Sequence, residues 1–326
     1  MLEVQDIIAR HLDKKEFVLM YSTDLTAAFD LLHPGLLLDT VRGKLPYKIC
    51  RILRDFLTER SFAVKVGSEI SAEKPLRVGC AQGSTLGPKL FSIYCGGLGK
   101  VITENLVAYA YDAYVLVSGS DLTDVVERTK TVMSHHVAWL ESIGIVVNVA
   151  KTESVLFSPL HVGPMEFIVK GVKVCTVDSM RVLGVEFDRQ LTWNKHVDKI
   201  IVSGKRALQG LRVLRRNFSL NDFLAIMTAQ FYSKIYYAAP VWLGCLPSHC
   251  LKRLESLHYS ALRVECSDYR QLVGREILDN DFKRATPSEW GDYSQAREII
   301  RIFNSGVPTC LYLPLETQSF VIQRPP

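Results

Sequence analysis

Two aspartates lie at the ends of strand-like runs, where carboxylates can bind metal ions. Asp112 falls inside the run 107–117, in which apolar β-forming residues flank a small polar kink. This pattern predicts two strands joined by a tight hairpin with Asp112 at its tip. Asp24 follows the strand-like run 17–23. Carboxylate oxygens that converge from strand ends are the ligands that hard divalent cations require, so the two aspartates predict a metal site.

The elements around these aspartates can be read from their patterns. Residues 78–84 form a glycine-rich loop. Ser120 or Asp121 can cap a long amphipathic helix that ends at Gly144. Up to Phe157, the order of predicted elements is strand, helix, hairpin, helix, strand. This order predicts a small antiparallel sheet with helices on one face.

Three motifs in chain order resemble the core of a reverse transcriptase. They are 24–30 (DLTAAFD) followed by His33, then 82–88 (QGSTLGP), then 109–112 (YAYD). The resemblance is to the non-LTR retrotransposons of the jockey-like group. It implies an α+β fold in which a polymerase palm, a small antiparallel sheet with helices on one face, precedes an all-helical thumb. RNA-directed DNA polymerase, a nucleotidyltransferase, is the activity that it implies.

The resemblance also implies which residues do the chemistry. Asp24 and Asp112 match the aspartates that hold two divalent cations, Mg²⁺ or Mn²⁺, and that are therefore catalytic. Lys151 matches a lysine of the fourth motif, which donates a proton to the pyrophosphate or screens its charge.

Three further residues are implied to bind the substrate. Phe29 matches the aromatic residue beneath the sugar of the incoming nucleotide, where a ring excludes a 2′-hydroxyl. Gln82 and Gly83 belong to the loop motif that approaches the nucleotide and the template. The implied partners are an RNA template, a DNA primer and deoxynucleoside triphosphates.

Tyr111 departs from the family pattern. The family hairpin carries Tyr-Ala-Asp-Asp, and Tyr111 stands in the place of the first aspartate. A phenol with a reference pKa of about 10 is neutral at pH 7 and bulkier than a carboxylate, so it cannot supply the charge that two Mg²⁺ ions need. Only 23 residues precede Asp24, whereas the family places its finger region there, so the resemblance also implies an N-terminal truncation. We expect weak or absent catalysis.

Positive charge is concentrated in one segment. Residues 195–263 contain eleven Lys or Arg against three Asp or Glu, a net charge of +8, and the remainder of the chain has −3. Such a segment suits a polyanion, although a merely solvated basic helix face explains it as well. The candidate nucleic-acid-binding residues are Lys199, Lys205, Arg206, Arg212, Arg215 and Arg216.

Three domains are predicted from these patterns. Residues 1–193 form a palm-like core with a primer-grip-like hairpin, residues 194–265 a basic, helical, thumb-like domain, and residues 266–326 a tail with one predicted helix over 293–304 and no chemical interpretation.

Composition indicates a globular protein inside the cell. The chain has 326 residues, 48% of them hydrophobic and 22% charged, which is typical of globular domains. No run of 18 apolar residues and no signal peptide are present. We therefore predict a cytoplasmic or nuclear protein that is neither secreted nor bound to a membrane. The eight cysteines lack a Cys-x-x-Cys pair and predict free thiols rather than a zinc site.

Two alternatives compete with a polymerase. One is a non-catalytic, nucleic-acid-binding remnant of a retroelement that uses the +8 segment. The other is an unstable translated pseudogene without a function. Primer extension separates the first from an enzyme, and cooperative folding separates the second from both.

Overall fold

The computed structural model contains two compact units. The sheet unit comprises His11–Asp178, and the helical unit comprises Met1–Arg10 with Ser179–Pro326. The structure describes the whole chain except Asp24, Thr26, Ala27, Gln82, Tyr111, Ala150, Lys151, His161, 268–283 and 306–326.

Helix α1 (Leu2–Asp13) begins the chain. The elements described within 11–178 are then β1 (Phe17–Ser22), α2 (Pro34–Val41), α3 (Tyr47–Leu57), β2 (Arg60–Phe62), β3 (Lys65–Val66), β4 (Glu69–Ile70), β5 (Lys74–Leu76), α4 (Gly87–Tyr94), α5 (Leu98–Val101), β6 (Asn105–Tyr109), β7 (Asp112–Gly119), α6 (Leu122–Ser142), β8 (Glu153–Phe157), β9 (Glu166–Val169) and β10 (Val172–Cys175).

A four-stranded antiparallel sheet with the order β6-β7-β1-β8 organises the sheet unit. Strand β1 has the sequence FVLMYS and is buried along almost its whole length, because it lies between two strands and under helix α6. In this register Tyr21 pairs with Val115 of β7 and with Ser154 of β8.

Helix α6 covers the sheet, and its ends are those that the sequence predicts. Asp121 is the N-cap residue, and its side chain accepts a hydrogen bond from the Thr123 backbone N–H. Gly144 follows the helix with φ of +79°, a conformation that glycine adopts without steric cost. The face between these ends buries Val125, Met133, Val137 and other apolar residues against the sheet.

The helical unit contains one hairpin and a series of helices. Its described elements after β10 are β11 (Ser179–Val182), β12 (Val185–Asp188), α7 (Asn194–Leu214), α8 (Leu220–Met227), a π-helical turn (Thr228–Tyr232), α9 (Ser233–Ile235), α10 (Ala239–Trp242), α11 (Ser248–Glu265) and α12 (Pro287–Ser305).

A single carboxylate builds the turn between β12 and α7. The Asp188 side chain accepts hydrogen bonds from the backbone N–H groups of Gln190, Thr192 and Trp193, and from the Thr192 hydroxyl. Trp193 has φ of +62° and is fully buried, with its ring edge-on to Phe187 at 5.2 Å between centroids. The turn therefore anchors the first residues of α7.

The predicted fold class is confirmed. A small antiparallel sheet with covering helices is followed, from residue 194 onward, by described elements that are all helical. The compact units divide the chain at residues 178 and 179, and the predicted functional boundary between 193 and 194 stays a prediction. Within the described residues, no helix is long and apolar enough to cross a lipid bilayer.

Candidate active site

Asp112 lies at the beginning of β7, directly after the hairpin turn. It pairs with Tyr109, the last residue of β6. Ala110, which follows Tyr109, has φ of +54°, and positive φ is the conformation that tight hairpin turns require. The predicted hairpin is therefore present, with Asp112 as the first residue of its second strand rather than at the centre of the turn.

The carboxylate of Asp112 is partly buried. Burial raises its pKa above the ordinary value for an aspartate. Among the described residues, no hydrogen bond or ion pair to this side chain is present. A partly buried carboxylate without a partner is costly unless a cation or donor arrives. Asp112 is therefore chemically suited to bind a metal ion.

The end of β1 and the starts of β7 and β8 lie side by side at the end of the sheet that carries Asp112. Ser22, the last residue of β1, pairs with Tyr114 near the start of β7 and with Glu153 at the start of β8. In the sequence, Asp24 comes two residues after β1 and Lys151 two residues before β8. Asp24 and Lys151 lie outside the described residues, as does Tyr111.

The glycine-rich loop packs against the turn that contains Phe29. The Cys80 backbone N–H donates to the Phe29 carbonyl at 2.9 Å, and the Gly79 N–H donates to the Leu32 carbonyl at 2.6 Å. Gly79 has φ of +87°, and a Cβ at this position would lie 3.0 Å from the Asp30 carbonyl oxygen. Only glycine therefore permits this close approach.

The substrate-binding candidates are placed as follows. Phe29 is half-buried, with its ring 4.9 Å from that of Phe91. Gly83 is exposed and has φ of +77°, whereas Gln82 lies outside the described residues. The structure thus brings the Phe29 turn together with the start of the loop.

Arg60 holds this loop and was not among the predicted site residues. Its guanidinium donates to the carbonyl oxygens of Val78 and Gly79. No motif in the sequence indicates this role, because the acceptors are backbone atoms whose identity a sequence does not display.

The six basic candidates divide into two groups. Lys199 pairs with Glu186 at 2.5 Å, and the Arg215 guanidinium donates to the Glu265 carbonyl at 2.8 Å and lies over the Phe223 ring. These two side chains serve internal contacts. Arg215 is half-buried, whereas Lys199 is exposed, as are Lys205, Arg206, Arg212 and Arg216.

Tyr237 supports the tip of the β11–β12 hairpin, a residue that the sequence did not single out. Leu183 and Gly184 form the tip with φ of +47° and +96°. The Tyr237 hydroxyl donates to the Leu183 carbonyl at 3.0 Å. A Cβ on Gly184 would lie 3.2 Å from the Tyr237 ring. The tip of the predicted primer-grip-like hairpin is therefore packed tightly within the helical unit.

The described residues contain no group of three or more His, Cys, Asp or Glu side chains that could hold a metal ion. The described cysteines are free thiols; Cys80 and Cys250 are buried, whereas Cys175 and Cys245 are exposed.

Comparison with known proteins assigns a family to a segment that contains the whole sheet unit. Residues 4–187 match the model for "Reverse transcriptase (RNA-dependent DNA polymerase)". A probable RNA-directed DNA polymerase from transposon X-element of Drosophila melanogaster is 27% identical over 295 residues, which cover 87% of this chain and 32% of that protein. The RNA-directed DNA polymerase from mobile element jockey of the same species is 25% identical over 264 residues, covering 77% and 29% respectively. The chain thus spans about a third of the length of these relatives.

Among solved structures, apo telomerase from Candida tropicalis aligns over 99% of this chain and 56% of its own, with a TM-score of 0.43 and 13% identity.

Proposed function

The chain belongs to the reverse transcriptase (RNA-dependent DNA polymerase) family, with the jockey-like non-LTR retrotransposons among its relatives, and we propose that it is an RNA-directed DNA polymerase domain with impaired catalysis. The reaction would add deoxynucleotides to the 3′-hydroxyl of a primer. One observation carries the proposal. The end of β1 and the starts of β7 and β8 are neighbours in the sheet. In the sequence, the motif residues Asp24, Asp112 and Lys151 lie at or beside these strand ends.

Asp24 and Asp112 would hold the divalent cations, Mg²⁺ or Mn²⁺. The carboxylate of Asp112, which is partly buried and has no partner among the described residues, supports this role. Such cations lower the pKa of an attacking hydroxyl and neutralise a departing pyrophosphate. Tyr111 does not fit the cation pair, because its neutral phenol supplies neither the charge nor the oxygens of a carboxylate.

The remaining motif residues would act on the nucleotide. Lys151 would donate a proton to the pyrophosphate or screen its charge. Phe29 would exclude the 2′-hydroxyl of a ribonucleotide, and its contact with Phe91 would hold the ring in place. Gln82 and Gly83 would contact the sugar and base of the deoxynucleoside triphosphate from the loop that begins at Gly79.

The exposed basic residues of the helical unit would bind the backbone of the template and primer. Arg206 lies on the face of α7 opposite to its buried stripe, which includes Ile201, Gly204 and Leu208, and Lys205 is exposed at the side of that stripe. Neither makes an ion pair within the part of the chain that the structure describes, so their charges are available to phosphates. We propose that the protein acts in the cytoplasm or the nucleus.

Primer extension tests the proposal. The purified chain is incubated with an RNA template, an annealed DNA primer, deoxynucleoside triphosphates and Mg²⁺ or Mn²⁺, and the products are resolved by length. We expect incorporation far below that of an intact reverse transcriptase, together with salt-dependent binding of the hybrid. Efficient extension would contradict the impairment that we assign to Tyr111.

The second candidate is a non-catalytic nucleic-acid-binding protein, which the exposed basic face of α7 favours. It predicts that the parent chain binds the hybrid and shows no extension. Measurable incorporation by the parent chain with Mg²⁺ would exclude it.

A further inference from the structure

Residues 60–76 form an exposed β-hairpin arm of the sheet unit. Its first strand (60–66) contains β2 and β3, its second strand (69–76) contains β4 and β5, and Gly67 at the tip has φ of +61°. Every residue from 61 to 75 is exposed. Among the described residues, no third strand pairs with the arm. An isolated two-stranded hairpin is only marginally stable in water, so a further strand would stabilise it.

One face of the first strand carries a row of apolar side chains. Phe62, Val64 and Val66 are 47%, 55% and 73% exposed. Alternate residues of an extended strand point to the same face, so these three side chains lie in line. Lys65 is the one charged residue between 61 and 66, and by the same alternation it points to the opposite face. The row therefore presents an uncharged apolar surface.

The two edges of the arm differ in their capacity to pair with another strand. Phe62 pairs with Lys74, whereas Lys65 pairs with Ile70. This change of register means that the second strand contains one extra residue, a β-bulge. The second strand also contains Pro75, which has no N–H to donate. Bulges and prolines keep edge strands from pairing. The first strand contains neither, and its outer side is therefore the open edge of the arm.

Hydrogen bonds inside the arm determine which backbone groups face this open edge. The Ser71 N–H donates to the Val64 carbonyl at 2.9 Å, and the Val64 N–H donates to the Ser71 hydroxyl at 2.9 Å. Val64 therefore turns both of its backbone groups inward. Because this direction alternates along an antiparallel strand, Ala63 and Lys65 turn their N–H and carbonyl groups outward.

We propose that two copies of this chain pair antiparallel through their open edges, about a two-fold axis at Val64, and form a four-stranded intermolecular sheet. In this register Ala63 of one copy lies opposite Lys65 of the other, so the outward groups of both residues find partners. Val64 lies opposite its own copy, and Phe62 lies opposite Val66. Six apolar side chains then form one continuous row on the same face of the sheet.

The neighbouring registers fit less well, which is why we favour a second copy in this arrangement. A shift of one residue would bring outward backbone groups opposite inward ones. A shift of two residues in one direction would bring the two Lys65 side chains opposite each other, and like charges in that position are destabilising. A shift of two residues in the other direction would bring Val66 opposite Arg60. The open edge is thus complementary to itself, and this inference does not rest on the proposed function.

Sedimentation velocity of the full chain without nucleic acid tests the proposal. Pairing through one edge buries a small interface, so we expect a reversible dimer whose population rises over about a hundredfold increase in concentration. Lys65→Pro removes an outward N–H and should weaken dimerisation at least tenfold. Ile70→Pro is the matched control, because Ile70 is the partner of Lys65 in the arm but turns its N–H to the opposite edge. It should dimerise like the parent. Circular dichroism verifies that each variant is folded.

The two-fold axis at Val64 permits a second test that leaves the backbone unchanged. Val64→Arg and Val64→Glu each place like charges opposite each other across the axis, so each variant alone should dimerise at least tenfold more weakly than the parent. An equal mixture of the two should dimerise again, because arginine then lies opposite glutamate.

Four results would overturn the proposal. They are a parent that stays monomeric at every concentration, which would leave the open edge to a strand of another protein; dimerisation of Lys65→Pro like that of the parent; an equal loss in Ile70→Pro; and a mixture of the two Val64 variants that stays monomeric. None of these results bears on whether the chain extends primers.

Discussion

Tyr109 and Asp112 pair across the β6–β7 hairpin, with only two residues between them in the sequence. The pairing places Asp112 at the start of β7. Residues 113–117 of β7 are all buried, so both faces of this strand are covered. The motif alignment in which Tyr111 takes the place of the first family aspartate stays a prediction.

Removing exposed charge from α7 should weaken binding of nucleic acid and its dependence on salt. For Lys205→Gln and Arg206→Gln, we expect the slope of log affinity against log salt to fall by about 0.7 to 0.9 for each phosphate that the protein no longer neutralises. Fluorescence anisotropy with an RNA–DNA hybrid measures the slope. Lys173→Gln is the control, since Lys173 is exposed but already paired with Glu166 in the sheet unit. An equal effect of the control would argue against a basic interface on α7.

A side chain at Gly184 should destabilise the β11–β12 hairpin. Gly184→Ala places a Cβ at φ of +96° and 3.2 Å from the Tyr237 ring, so we expect the free energy of unfolding to fall by about 1 to 2 kcal/mol. Tyr237→Phe should cost about 1 kcal/mol because it removes the hydrogen bond to Leu183. Urea denaturation measures both.

Gly210→Ala provides the comparison for these two variants. Gly210 lies inside helix α7 with negative φ and open space at its Cβ, so alanine there should raise stability by up to about 1 kcal/mol. If Gly184→Ala were as stable as Gly210→Ala, the positive φ of Gly184 and its contact with the Tyr237 ring would not require glycine at the tip of the β11–β12 hairpin.

Acid should destabilise the protein through His136. Burial lowers its pKa from 6.5 to about 4, so below pH 6.5 the unfolded chain binds a proton that the folded chain does not. This group should therefore lower the free energy of unfolding by about 2 kcal/mol between pH 7 and pH 5, and the loss levels off below about pH 4. His136→Phe should show a smaller loss over the same interval in urea denaturation.

His196 provides an internal reference for this pH effect. Burial also lowers its pKa to about 4, so it contributes a loss of the same sign that His136→Phe leaves in place. An unchanged pH dependence in His136→Phe would mean that His136 is not buried as a neutral ring.

Phe29 should select deoxynucleotides once catalysis is restored. In the Tyr111→Asp background, Phe29→Val removes the ring that packs on Phe91 and opens space for a 2′-hydroxyl. We expect the preference for deoxynucleotides over ribonucleotides to fall by about tenfold or more, measured by primer extension with each nucleotide type. An unchanged preference for deoxynucleotides would show that Phe29 does not select against the 2′-hydroxyl.

Local patterns predicted the elements that position the candidate site. The Asp121 cap and the Gly144 stop of α6 are local signals, and both are present. Helix α12 begins at Pro287, six residues before the predicted start at 293. A local signal in the sequence could have predicted this start. Thr286 and Glu289 form a reciprocal capping box there, a signal that spans only four residues.

Tertiary partners could not be predicted in this way. The internal pairing of Lys199 with Glu186, and the support of Leu183 by Tyr237, join residues that are 13 and 54 positions apart. Periodicity shows that a side chain is exposed or buried but not which distant group it meets. For this reason the sequence predicts the same nucleic-acid-binding role for Lys199 and Lys205. The structure distinguishes them, because Lys199 is paired with Glu186.

The most direct test of the account is primer extension by Tyr111→Asp beside the parent, with the same RNA–DNA hybrid and Mg²⁺. Because the substitution restores a carboxylate next to Asp112, we predict a gain in incorporation of at least about 100-fold over the parent. Equal, negligible extension by the two proteins would contradict the claim that Tyr111 separates this member of the family from an active polymerase.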